Sequence, residues 1–267
     1  MKFLIQLFIK TCIETVNLTG MLILIGFLLG MLRNYSVRNF QRGFGSKAVM
    51  ITGFIGVPVH ELSHAIAALL FKHRITAIKL LQRPDVNGVM GYVEHSYNQN
   101  SIYQQVGNFF IGIAPIFGGI ASMIGLMHVT IPETYNNFVY ILMKNVHVEV
   151  IDKSTIMGIL YSYLGLVKSI FSIGNFENPH FYIFLFISIC ISSHISLSLA
   201  DIKGASIGLT VIFFILLILN IFGLSKYIQA FNLIKYNILI TSFLVVAVIL
   251  SLITFLISLS LVVIRKN

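Results

Sequence analysis

Six stretches of the chain are apolar over about 18 residues or more, the length at which a helix can cross the hydrocarbon core of a bilayer. They run approximately from Thr15 to Leu32, Ala48 to Phe71, Asn108 to His128, His180 to Leu199, Ser206 to Leu224 and Ile238 to Ile264. Only 10% of the residues are charged, whereas about a quarter of a soluble domain is charged. The sequence therefore predicts an all-α polytopic membrane protein of about six transmembrane helices, with residues 1–267 forming a single domain.

The second apolar stretch contains the motif H-E-x-x-H, formed by His60-Glu61-Leu62-Ser63-His64. On a helix, His60 and His64 are four residues apart and share a face, where two imidazoles can hold a zinc ion. Glu61 can then serve as a general base for water. Ionisable side chains inside a membrane span are costly and by default indicate a functional site. The alternative is that the three polar residues stabilise helix packing through hydrogen bonds.

A catalytic zinc site usually has three protein ligands, so a distant part of the chain must supply the third. The candidates in apolar sequence are Asp201 and His194, and less plausibly His128 or His180. We favour Asp201, because a carboxylate is a common zinc ligand and helps to neutralise the ion at low dielectric. His194 is seven residues earlier, two turns away on the same face of a predicted helix, and is a candidate hydrogen-bond partner of a ligand or an alternative ligand itself.

Both residues also have simpler interpretations. Asp201 can be the N-cap of the fifth span or pair with Lys203. His194 can be a histidine whose ring is satisfied by a neighbouring backbone group.

A β-hairpin is predicted from Ile75 to Tyr97, because two β-prone runs flank a segment that contains Pro84 and an Asn87-Gly88 pair. The segment follows the H-E-x-x-H stretch directly, so we expect it to lie over or beside the site. Its free edge can pair with an extended peptide, which makes Val89, Gly91 and Tyr92 candidate substrate-binding residues. The alternative is an ordinary surface hairpin.

The third apolar stretch is rich in small residues and contains Pro115. Ala114, Gly118 and Ser122 form a stripe of small residues that favours close helix contact. The proline and the paired glycines predict a kinked or broken helix, and Pro115 is a further candidate for substrate binding. Helix packing alone would also explain this composition.

Polar and basic segments separate the apolar stretches. Residues 1–11 predict a short interfacial helix, residues 33–47 a basic loop, and the stretches 137–148 and 155–173 amphipathic surface helices. His147 and Glu149 alternate with valines and suggest a strand. The net charge of +9 lies at the ends of apolar segments, where it meets lipid headgroups, so we expect no nucleic-acid partner. We expect Cys12 and Cys190 to be buried thiols.

Taken together, the chain resembles the site-2 protease family of intramembrane zinc metalloproteases. The shared features are the H-E-x-x-H motif inside a span, a hairpin after it, a Gly- and Pro-rich span, and a later aspartate. The resemblance covers a core of residues 48–204. It implies that His60, His64 and Asp201 bind Zn²⁺ and that Glu61 activates water. Asp201 lies in Leu-Ala-Asp-Ile-Lys-Gly, which departs from the Asn-Pro…Leu-Asp-Gly context that is usual in the family.

The zinc motif in the second of six spans and the aspartate in the fourth are similar to the bacterial sporulation-type branch. In that branch the site opens to the cytosol, which implies a multi-pass protein of a bacterial cell membrane with both termini in the cytoplasm. The positive-inside rule does not choose an orientation, because the basic residues divide equally between the two sides of a six-span topology.

These observations lead to one main functional hypothesis and two alternatives. The main hypothesis is a zinc-dependent intramembrane endopeptidase that cleaves a membrane-associated protein or peptide. The first alternative is a non-proteolytic membrane protein of the same fold that acts as a regulatory or immunity partner. The second is a metal-ion transporter whose path is lined by His60, Glu61, His64, His194 and Asp201.

Overall fold

The computed structural model describes residues 2–85, 88–146, 153–224 and 233–266. Its helices are α1 (Lys2–Phe44), α2 (Ser46–Leu70), α3 (Ile102–Thr130), α4 (Pro132–Val146), α5 (Lys153–Ile170), α6 (Ile173–Glu177), α7 (Pro179–Ser192), α8 (Leu199–Ile221) and α9 (Leu233–Lys266). Its strands are β1 (Arg74–Lys79) and β2 (Tyr92–Ser96). The prediction of an all-α polytopic protein with a β-hairpin is confirmed.

Within these ranges, 5 helices are long and apolar enough to cross a membrane, namely α1, α2, α3, α8 and α9. The predicted fourth span corresponds to α7, which is apolar but has only 14 residues. At 1.5 Å per residue α7 is about 21 Å long, shorter than the hydrocarbon core of about 30 Å. The prediction that residues 180–199 form a continuous spanning helix is therefore wrong.

Helix α1 is much longer than the predicted first span. It includes residues 2–11, for which a separate interfacial helix was predicted, and Arg33, Arg38 and Arg42, which were placed in a loop. Both predictions are wrong because basic residues mark a change in polarity and do not end a helix, for which arginine has a high propensity. The helix ends next to Gly45, whose positive φ of 74° suits glycine.

The main helix break lies at residues 193–198, between α7 and α8, and not at a proline. Helix α3 continues through Pro115 without interruption, so the predicted break there is wrong. Ser193, His194, Ile195 and Ser196 are all buried, which is the setting in which non-helical backbone is tolerated at membrane depth. The break also means that His194 and Asp201 do not lie two turns apart on one helix.

The β-hairpin forms as predicted. Strands β1 and β2 are antiparallel, with Ile78 opposite Val93 and an irregularity between Ile75 and Ala77. Val86 and Asn87, within the predicted turn, lie outside the described residues.

Two histidines attach the hairpin to α3. His73 Nε2–H donates to the Gln104 carbonyl at 2.8 Å, so Nδ1 of neutral His73 is an acceptor. His95 on β2 donates to it across 3.0 Å, which ties β2 to the residue between α2 and β1.

The two amphipathic stretches predicted after α3 are helical, as α4 and α5. Their apolar faces join the main core through Phe138, Leu166 and Ile170. His147 and Glu149, for which a strand was suggested, lie outside the described residues.

Helix α3 is central in the bundle and packs against α2, α7 and α8. Two glycines permit its close approach to α8. A Cβ on Gly112 would lie 2.6 Å from the carbonyl oxygen of Asp201, and one on Gly208 would lie 2.7 Å from Phe109 Cβ and close to the Phe109 backbone nitrogen. This packing sets how far the first turn of α8 lies from α2.

We expect Gly208→Ala to destabilise the protein by about 1–3 kcal/mol, because its methyl group overlaps the α3 backbone. Gly204→Ala, one turn earlier on α8, is the matched control, because nothing lies within 4 Å of its Cβ position. The control should gain up to about 1 kcal/mol from helix propensity. Thermal unfolding in detergent would measure both, and equal effects would contradict the packing described here.

His73 should make the stability of the hairpin dependent on pH. Burial lowers the pKa of His73 below its ordinary value of 6.5, so its contribution is fully present above about pH 6.5 and is lost as the pH falls through the folded pKa. His73→Phe retains a ring against Tyr97 but cannot titrate. The stability difference between wild type and His73→Phe should narrow between pH 7.5 and pH 5. Hydrogen exchange of the β1 and β2 amides would measure it, with the exposed His180→Phe as control.

Candidate metal centre

A cavity of about 880 Å³ lies between α1, α2, the hairpin, α3 and the start of α8. His60, Glu61 and His64 project into it from α2, and Asp201 projects into it from the first turn of α8. The cavity therefore collects the whole H-E-x-x-H motif and the aspartate that the sequence favoured as third ligand.

Three ligand side chains converge in this cavity. His60 Nε2 and His64 Nε2 are 3.2 Å apart. Asp201 Oδ1 lies 3.1 Å from His64 Nε2, and Asp201 Oδ2 lies 3.7 Å from His60 Nε2. Among the residues described, this is the group of histidines, cysteines and carboxylates that is compact enough for a metal ion.

Backbone carbonyls hold both imidazoles in one tautomer. His60 Nδ1–H donates to the His194 carbonyl at 2.6 Å, and His64 Nδ1–H donates to the Ile111 carbonyl at 2.8 Å. A carbonyl oxygen can only accept, so the proton of each neutral ring is on Nδ1 and the lone pair is on Nε2. This is the usual orientation of a histidine that binds a metal.

Both carbonyl oxygens are available to the histidines because neither accepts the hydrogen bond that the N–H four residues later would donate in a continuous helix. Ile111 would normally receive a hydrogen bond from residue 115, but Pro115 has no N–H. His194 would receive one from Ser198 if the helix continued, but the Ser198 N–H donates instead to Asp201 Oδ2 at 2.7 Å. A proline and a helix break thus supply the two acceptors that orient the histidines.

Asp201 has a structural role as well as a place in the cluster. Ser198 is the N-cap of α8 and accepts from the Asp201 N–H at 3.1 Å, while the Asp201 carboxylate accepts from Ser198, which completes a capping box. The simpler interpretation of Asp201 is therefore partly right, since it caps α8 from the third helical position. In the part of the chain described, no ion pair joins it to Lys203. The cap fixes its side chain while Oδ1 faces His64.

The donor set fits a zinc ion. With neutral imidazoles, the two Nε2 lone pairs and the carboxylate are all acceptors, and acceptors this close together repel one another unless a metal ion or a proton lies between them. With zinc–ligand bonds of about 2.0–2.2 Å, tetrahedral geometry places ligand atoms about 3.3–3.5 Å apart. The two nitrogens are 3.2 Å apart, and the Asp201 oxygen facing each ring lies 3.1 Å from His64 Nε2 and 3.7 Å from His60 Nε2, which are separations near this value.

Glu61 lies beside the cluster and is only 7% exposed. No hydrogen bond to its carboxylate is found among the described residues, so its oxygens are available to a reactant in the cavity. The segment before β2 packs directly on it, because a Cβ on Gly91 would lie 2.8 Å from Glu61 Cγ. Gly91 therefore permits the hairpin to cover the general-base candidate.

The other predicted site residues divide into two groups. Val89, Gly91 and Tyr92 line the cavity. Pro115 is buried inside α3 and is not among the lining residues; it acts on the site only through the Ile111 carbonyl it leaves free.

The alternative ligands lie outside the cluster. The His194 ring packs against Gly56, with its Nε2 3.4 Å from Thr52 Oγ1, and only its carbonyl contacts His60. His128 makes an edge-to-face ring contact with Tyr135, and His180 is hydrogen-bonded to Asn178.

Several polar residues that line the cavity were not predicted from the sequence, among them Arg33, His95 and Asn108. Asn108 is 4% exposed, and its amide nitrogen has no hydrogen-bond partner in the described parts of the chain. Asn108 is the first residue of the third apolar stretch, and its polarity there was the available sequence signal. Arg33 was assigned to a loop because it follows the apolar stretch.

Comparisons with protein-family models, with curated proteins and with solved structures find no match to this chain.

We expect the full-length protein in detergent to bind a single zinc ion per chain and His64→Ala to lose it. Asp201→Ala should lose the ion or bind it far more weakly, because one of three protein ligands is removed. His180→Ala is the matched control and should bind like wild type. Zinc content would be measured by inductively coupled plasma mass spectrometry, and circular dichroism would establish that each variant is folded. A folded wild type without zinc would contradict the assignment.

Proposed function

We propose that this chain is a zinc-dependent intramembrane endopeptidase, similar to the site-2 proteases. The observation that carries the proposal is the position of Glu61. Its unpartnered carboxylate shares one cavity with three converging zinc-type ligands, inside a bundle of membrane-spanning helices. A purely structural role in helix packing would leave the Glu61 carboxylate paired with a neighbouring helix, as the Nδ1 atoms of His60 and His64 are.

His60, His64 and Asp201 would hold the ion. When bound there, zinc would polarise the scissile carbonyl and lower the pKa of water towards 7. The Nδ1–H bonds to the Ile111 and His194 carbonyls keep both imidazoles in the ligating tautomer, so little reorganisation is needed.

Glu61 would transfer the proton in both halves of the reaction. It first takes a proton from the water that attacks the scissile carbonyl carbon, and a new C–O bond forms. It then gives that proton to the amide nitrogen as the C–N bond breaks, so the products are a carboxylic acid and an amine. A buried carboxylate with no hydrogen bond to the protein is suited to exchanging a proton twice.

The hairpin would present the substrate. The peptide bonds of a membrane-spanning helix are enclosed in intrahelical hydrogen bonds, so the substrate must be locally extended before cleavage. Residues 88–93 line the cavity next to Glu61, and an edge of a two-stranded sheet can pair with an extended segment. The proposed partners are therefore a membrane-associated protein or peptide and the lipid bilayer. We further propose that the cavity opens on the cytoplasmic side, together with both termini.

Glu61→Gln should abolish proteolysis and retain zinc. Loss of a general base lowers the rate by about 10²–10⁴-fold. Glu94→Gln, an exposed carboxylate on β2, is the matched control and should cleave at the wild-type rate. Cleavage of a library of apolar peptides in detergent micelles would be followed by mass spectrometry of the products. Equal proteolysis by wild type and Glu61→Gln would overturn the mechanism.

Cleavage and metal-flux measurements together distinguish the two alternative functions. A zinc-loaded wild type that cleaves none of the library or of co-reconstituted membrane proteins would favour a non-proteolytic partner protein. Zinc uptake into proteoliposomes that is lost in His64→Ala would favour a transporter.

A further inference from the structure

Arg33 is a cationic residue inside α1, within a segment long and apolar enough to cross a membrane. It lines the cavity that contains Glu61 and the ligand cluster. Its Nε is buried and makes no hydrogen bond, and in the described ranges no carboxylate forms an ion pair with the guanidinium. An unpaired charge in this position is costly, so a functional role is expected.

Asp201, one of the two carboxylates of the cavity, is engaged with other groups. The Asp201 carboxylate contacts His64 and accepts from the Ser198 N–H. Asp201 and Glu61 line the same cavity as Arg33, but in the described parts of the chain no hydrogen bond or ion pair joins either of them to it. The guanidinium therefore keeps its hydrogen-bond donors available to a group that enters the cavity.

The charge balance of the loaded site defines the chemistry of that group. A Zn²⁺ ion beside Glu61 and Asp201 is neutralised by the two carboxylates, so Arg33 leaves one excess positive charge. A guanidinium binds a carboxylate through two parallel hydrogen bonds, and this pairing is strongest where water is scarce.

We propose that Arg33 binds a carboxylate of the substrate peptide, either an acidic side chain near the scissile bond or the C-terminal carboxylate. This inference rests on the proposed peptidase function, since it names the substrate class of the same cavity. Arg33 is a specificity residue in this scheme, because it selects apolar peptides that carry a negative charge at one position.

The test measures binding, so that it does not depend on turnover. The zinc-loaded Glu61→Gln protein, full-length and in zwitterionic detergent, serves as the trap; its neutral amide adds one further positive charge to the site, equally in every variant that is compared. The probes are fluorescent Leu- and Ala-rich peptides of about 20 residues, long enough to span a bilayer. One set is amidated and carries a single Asp at successive positions, the second replaces Asp by Asn, and the third carries Asn and a free C-terminal carboxylate.

We expect one Asp position, or the free C-terminus, to bind about tenfold or more tightly than the neutral peptide, as a charge-assisted pair would produce. The peptide set that binds more tightly shows whether the carboxylate comes from an acidic side chain or from the C-terminus. Adding Arg33→Gln should reduce the gain to about twofold or less. Arg33→Lys should retain part of it, because the charge remains without the planar fork. Arg38→Gln, an exposed residue of the same helix, is the matched control and should retain all of it.

Equal binding of acidic and neutral peptides by the folded trap would overturn the proposal. So would an acidic preference that survives Arg33→Gln with unchanged thermal stability. Binding to phosphatidylglycerol vesicles would be measured in the same way. If Arg33 were needed for binding this lipid and no acidic peptide were preferred, Arg33 would be assigned to a lipid headgroup and the proposal would be overturned. Wild-type cleavage without charge preference would remove this inference alone, whereas acid-selective binding without any cleavage would remove the proposed function.

Discussion

Two backbone carbonyl groups that are released from helical hydrogen bonding orient the centre of this protein. One is the Ile111 carbonyl, whose helical donor is missing because residue 115 is proline, and it accepts from His64. The other is the His194 carbonyl, exposed by the break between α7 and α8, and it accepts from His60. Inside a membrane a free carbonyl is costly unless it finds a donor, and an imidazole Nδ1–H is such a donor. Each free carbonyl therefore receives a hydrogen bond from a histidine Nδ1–H, and the Nε2 lone pairs of His60 and His64 are left facing Asp201.

The same break positions the carboxylate. Because the chain leaves the helix at residues 193–198, a new helix can start there with Ser198 as its cap and Asp201 in its first turn. The positive end of a helix dipole favours an anion at this position, which lowers the cost of a carboxylate in a low-dielectric bundle. Glycines at the α3–α8 and α2–α7 contacts then bring α8 close enough for Asp201 to reach two histidines on α2.

Sequence reasoning succeeded where the signal was local. The H-E-x-x-H spacing predicts two imidazoles on one helix face, and the hairpin was indicated by two β-prone runs around a turn. Asp201 could be favoured because few acidic residues lie in apolar sequence. The reasoning failed where the outcome depended on a neighbour. Pro115 was expected to break α3 or contact substrate, yet its effect is to free a carbonyl for a side chain 47 residues earlier on α2. Arg33 was placed in a loop because polarity was taken to end the helix.

The sequence by itself determined that the chain spans a membrane, that a hairpin follows the second span, and which residue types can hold a metal ion. These properties follow from hydropathy, from periodicity and from the chemistry of single side chains. Only the tertiary structure decided that α7 stops short, that Asp201 meets His60 and His64, and that Arg33 faces the same cavity. The physical reason is that these outcomes depend on close packing between helices distant in sequence, where a single glycine or an unpaired carbonyl determines which side chains meet.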